Sequence, residues 1–75
     1  MPRLTDRPTT RILKALRRAG WFQREPAGKK HYVLVNPKLP GIVTVPRHRM
    51  AKKGTLSSII KQAGMTLDDF EQFYR

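Results

Sequence analysis

Two stretches of helical periodicity enclose three short β-type runs, and that order limits the fold more than any other feature of the chain. Ile12, Ala15, Leu16 and Ala19 recur at helical spacing, and Gly20 follows as a stop signal. Leu56, Ile59, Ile60 and Ala63 repeat at i, i+3, i+4 and i+7 and are ended by Gly64. Between them lie Trp21–Arg24, His31–Val35 and Ile42–Val45. The separating segments, Pro26-Ala27-Gly28 and Asn36-Pro37 to Pro40-Gly41, carry turn residues. Links this short favour an antiparallel meander. The expected architecture is α+β: a two-layer α-β-β-β-α sandwich, with a three-stranded antiparallel sheet and two helices on one face. A double-stranded-RNA-binding domain has the same order, although order alone does not assign function.

The caps can be anticipated as well. Asp6 is placed to cap the first helix, whose first turn accepts Pro8, and residues 1–6 form an arm before it. Thr55 is the expected N-cap of the second helix. Thr66 opens a short C-terminal helix, with Asp69 at the capping-box position and Met65 and Phe70 at the staple positions. Phe70, Phe73 and Tyr74 would pack that helix back onto the body. In the second strand His31, Val33 and Val35 share one face and Tyr32 and Leu34 the other. Both faces are partly apolar, so periodicity leaves open which of them meets solvent.

With 75 residues the chain is expected to form one domain, residues 1–75. That length leaves no room for a dinucleotide fold or a deep cofactor pocket, and no cofactor is expected. Cysteine is absent, which removes disulfides and thiolate metal sites and fits a reducing cytoplasm. The N-terminus lacks the apolar run of a signal peptide, and nothing approaches the roughly 18 apolar residues of a membrane span.

Charge narrows the partner. Sixteen Lys and Arg face five Asp and Glu, for a formal net charge of +11. From Arg7 to Lys61 the only acid is Glu25, so that segment alone carries +13. Such a field attracts polyanions and releases their counterions on binding, which points to nucleic acid rather than membrane.

His31 follows Lys29 and Lys30 at the start of a strand. Imidazole titrates nearer neutrality than any other side chain and can act there as general base or acid. RNA carries its own nucleophile, the ribose 2′-hydroxyl, so a protein need only take its proton, orient it and stabilise charge on the phosphate. Read from the residues alone, His31 is either such a base or an ordinary strand histidine. His48, in Pro46-Arg47-His48-Arg49, is a phosphate ligand, a supporting group or a solvated loop residue. Lys52 and Lys53 precede Gly54-Thr55 and the second helix, whose N-terminus offers free N–H groups to phosphate; a solvated basic loop is the alternative. Trp21, Phe22 and Tyr32 are core residues or stacking platforms for bases. The two histidines stand seventeen apart without an acid cluster, so no metal site is expected.

Taken in order, Gly20-Trp21, Gly28 to His31, Asn36-Pro37, Val43-Thr44-Val45-Pro46-Arg47-His48 and Lys53-Gly54-Thr55-Leu56 through Ile59-Ile60-Lys61-Gln62-Ala63-Gly64 resemble the HicA-type (YcfA-like) toxins. The likeness runs from about Ile12 to Phe70 and is strongest from Val45 to Gly64. It implies a small mRNA-cleaving ribonuclease of a type II toxin–antitoxin system, with a double-stranded-RNA-binding-domain-like fold and a HicB antitoxin as partner. It also implies that His31 is the catalytic residue. The family usually has Gly-Ser before this histidine; here Lys29 and Lys30 stand there, and Gly28 lies one position early. The expected RNA contacts are Lys29, Lys30, Arg47, His48, Lys52 and Lys53. A non-catalytic RNA-binding module on the same fold is the alternative.

Overall fold

The computed structural model describes residues 3–24 and 29–75. The turn expected at Pro26-Ala27-Gly28 lies outside the described residues. The elements run β1 (Arg7–Pro8), α1 (Thr9–Arg18), β2 (Phe22–Gln23), β3 (His31–Asn36), β4 (Leu39–Pro46), β5 (Met50–Ala51), α2 (Lys53–Gln62) and α3 (Leu67–Tyr74). Strands β2, β3 and β4 form an antiparallel sheet in that order, the arrangement that short links favour.

Helices α1 and α2 end alike, and the reason is local. Gly20 and Gly64 have φ of 98° and 70°, which L side chains rarely adopt. At each, the glycine N–H bonds back to Arg17 or Lys61, and the next N–H bonds to Leu16 or Ile60. That double bond pattern satisfies carbonyls a helix end would otherwise leave unpaired. The residues that follow, Trp21 and Met65, turn inward: Trp21 is buried in the core and Met65 packs against it.

The core lies between the sheet and the helices. Leu34, Val43 and Val45 from one sheet face meet Ile12 and Leu16 of α1, Leu56 and Ile59 of α2, Trp21, and Phe70 of α3. Each such aliphatic or aromatic side chain contributes roughly 1.5–3 kcal/mol by leaving water. Among the described residues, no helix covers the other face. Phe22 and Ile42 are exposed there, Val33, Val35 and Thr44 half-buried. The free edge of β4 is covered at one point: the Thr44 N–H donates to the Gln62 side chain of α2 at 2.8 Å.

Of three expectations about the helix starts, two are corrected and one holds. Asp6 does not cap α1, whose N-cap is Pro8 with no side-chain bond. Its carboxylate instead accepts the backbone N–H of Lys53, at 2.9 Å, in the first turn of α2. The N-cap of α2 is Lys52 rather than Thr55, which lies inside the helix. The cause is a ladder that sequence periodicity did not suggest: β1 pairs antiparallel with β5, Arg7 opposite Ala51 and Pro8 opposite Met50, and so brings Asp6 beside the start of α2. The α3 cap is as expected, with Thr66 and Asp69 exchanging hydrogen bonds of 3.1 and 3.3 Å.

Candidate active site

The register of β3 and β4 assembles the basic residues. His31 opposes Pro46, and the ladder continues one step beyond the strands, where the Arg47 N–H donates to the Lys30 carbonyl at 3.0 Å. This lays Lys29-Lys30 alongside Arg47-His48 at one end of the sheet. His31 falls on the open face with Val33 and Thr44, which settles what alternation left undecided. A hollow of about 420 Å³ there is lined by Lys29, Lys30, His31, Pro46, Arg47 and His48. A second, more open depression of about 500 Å³ extends from Lys29, Lys30 and His31 over Val33 and Thr44.

Arg47 is held by its neighbour. Its guanidinium lies 4.2 Å above the centre of the Tyr32 ring, a cation–π contact that restrains the planar fork. The loop beyond it is tied to the start of α1. The Thr9 N–H donates to the Arg49 carbonyl at 3.0 Å, and the Thr9 hydroxyl donates to the His48 carbonyl. The His48 side chain is exposed, while its backbone is fixed.

Of the residues expected to act, the structure thus brings together His31, Lys29, Lys30, Arg47 and His48. Lys52 and Lys53 stand apart. Both are exposed at the start of α2 but line neither hollow around His31. One N–H of that helix start is already taken by Asp6, so the helix N-terminus is not an open anion site at Lys53. Among the aromatic residues, Trp21 is core, Phe22 is exposed on the open sheet face, and Tyr32 is half-buried under Arg47.

Sequence reasoning missed Thr9 and the β1–β5 ladder. A weak signal existed for the ladder: Met50-Ala51 is an apolar pair inside an otherwise basic segment. None existed for Thr9, whose role depends on a carbonyl 39 residues away.

The outer framework is also ionic. Arg7, nearly buried, pairs with Glu71 of α3 and lies 4.6 Å above the Tyr74 ring, with Arg11 at 4.4 Å from the same ring. Arg18 donates to the carbonyls of Phe73 and Arg75 at 3.0 and 2.6 Å, at the C-terminal end of α3.

No helix among the described residues is long and apolar enough to cross a membrane. The model of a family described as the HicA toxin of bacterial toxin–antitoxin systems matches residues 10–65, a stretch that holds every residue lining the His31 hollow. No curated protein matches the chain.

Proposed function

The chain belongs to the HicA toxin family, the toxin of a bacterial toxin–antitoxin pair, and from that premise we propose that it is a metal-independent endoribonuclease that cleaves messenger RNA at His31. The observation that carries this reading is the hollow in which an exposed imidazole shares a surface with two lysines, an arginine and a second histidine. The order of helix, three antiparallel strands and helix is also that of a double-stranded-RNA-binding domain, which suits an RNA substrate.

In the mechanism this supports, His31 takes the proton of a ribose 2′-hydroxyl. The 2′-oxygen attacks the adjacent phosphorus, the bond to the 5′-oxygen breaks, and the leaving oxygen takes a proton from a second group. The products are a 2′,3′-cyclic phosphate and a 5′-hydroxyl, and no co-reactant is needed. His48 has the chemistry to give the second proton. Lys29, Lys30 and Arg47 hold the phosphate and stabilise the charge that builds on its oxygens; preorganised cations of this kind are commonly the largest catalytic term. Lys52 and Lys53 add contacts to more distant phosphates.

A second reading keeps the RNA and removes the cleavage. It is favoured by Lys29-Lys30 in place of the small residues usual before this histidine. Purified protein incubated with RNA in EDTA separates the two. Cleavage by the wild type that His31→Ala lacks supports the first reading; salt-sensitive binding with no product from either protein supports the second.

Membership of a toxin–antitoxin family implies an antitoxin. We assign it as a HicB-like protein carrying an acidic surface, because a net +11 chain steers and binds a complementary partner. Co-purification from the native host should recover a small acidic protein, and its failure to do so under low salt would count against that assignment.

A further inference from the structure

We propose that a second cavity, next to the His31 hollow, is a subsite for one unpaired nucleobase of the RNA. This rests on the reading above, in which the neighbouring hollow holds the phosphate.

The second cavity has a volume of about 510 Å³, and it shares two residues with the His31 hollow, Arg47 and His48. The two differ in chemistry. The His31 hollow gains Lys29 and Lys30 and suits a phosphate. The second adds Tyr32, Pro8 and Met50, which offer ring and aliphatic surface, together with Thr9, the exposed Thr10 hydroxyl and a further cation, Arg49. Ring and aliphatic surface set beside hydrogen-bonding and cationic groups suits a flat heterocycle that is joined to a phosphate. Arg47 stands between the two with its guanidinium over the Tyr32 ring. A guanidinium plane fixed in this way is itself a surface on which an unpaired base stacks, while its N–H groups reach a phosphate.

The wall of this cavity is also built from remote parts of the chain. Pro8 opposes Met50 in the β1–β5 ladder, and Thr9 holds the carbonyls of His48 and Arg49. Met50 remains 45 % exposed and lies outside the core. An exposed methionine pinned at the mouth of a cavity presents an adaptable apolar surface. The Thr10 hydroxyl both donates and accepts, so it tolerates several base edges. The geometry therefore favours a single-stranded segment, whose bases are free to leave the stack.

The test uses the full chain carrying His31→Ala, so that bound RNA stays intact, and a short oligoribonucleotide in which one abasic residue is stepped along the strand. One abasic position should weaken binding by about tenfold, the scale of a lost stacking contact, whereas in the added Thr10→Ala/Met50→Ala background the same lesion should cost about twofold or less. Thermal unfolding checks the added substitutions; should they lower stability, Thr10→Ala alone, on the exposed side of α1, makes the comparison. Abasic costs that are equal at every position, or that persist unchanged in the variants, overturn the subsite. Loss of the cleavage reading looks different: wild type then fails to cut RNA in EDTA while the abasic profile retains its single sensitive position.

Discussion

On the covered face of the sheet Leu34, Val43 and Val45 are sealed beneath α1, α2 and α3, whereas on the open face their neighbours His31, Val33 and Thr44 meet solvent. The same two strands supply both sets, and along Val33–Leu34 and Val43–Thr44–Val45 the two faces alternate residue by residue. The period of two along a strand therefore lets adjacent residues answer to different demands: one face is selected by packing, the other by what binds to it. In a chain of 75 residues, with little core to spare, that separation lets a cationic site be built without introducing charge into the apolar layer.

If the separation holds, substitutions on the two faces should register in different measurements. The largest effect is expected for His31→Ala, which should slow RNA cleavage by about 10²–10⁴-fold, the range for removing a general base, with no change in thermal unfolding. A parallel fall in stability would break the comparison, because His31 would then be holding up the fold. Leu34→Ala should act in the opposite sense. Its side chain is fully buried, so truncation should cost about 2–5 kcal/mol in urea unfolding, with activity following only the folded fraction.

Asp6 tests the join between the two. Asp6→Ala removes the acceptor for the Lys53 N–H and should lower stability by about 1 kcal/mol, as lost caps do, with Asp6→Asn recovering most of it. Equal stability in all three proteins would mean that water replaces the carboxylate at no cost. The smallest effect belongs to the rim. Lys29→Ala and Lys30→Ala should each reduce the slope of log binding constant against log salt by about 0.7, one phosphate contact on single-stranded RNA, while unfolding is unchanged. An unchanged slope would remove those lysines from the interface.

How much of this was legible in the sequence depends on how far apart the partners stand. The α3 cap was readable because Thr66 and Asp69 are three apart, and the ends of α1 and α2 because Gly20 and Gly64 act on their own turns. The succession of helix, three antiparallel strands and two helices followed from periodicity and short links, without β1 and β5. The start of α2 was misplaced because its acceptor, Asp6, lies 47 residues from Lys53. The same distance problem hid the ladder that brings them together. At the site, residue types were readable while their assembly was not. Nothing in Arg47-His48 states that they lie beside Lys29-Lys30; the His31–Pro46 register does that. Nor does spacing show that Tyr32, on the other face of β3 from His31, carries the arginine of the site.

The stretch shared with the HicA family ends at residue 65 and begins at residue 10. Arg7 and α3 both lie outside it, and they hold each other: Arg7 grips Glu71 and Tyr74, and the strand that contains Arg7 runs along Met50-Ala51, next to the loop that bears His48. The two tails of the chain thus work as a clasp around a shared centre. A chain trimmed to residues 10–65 would keep His31 and every cation assigned to the phosphate. It would lose the fastening that fixes how that loop is presented, so a cut that removes Arg7 or α3 perturbs the reactive end as well as the stability of the fold.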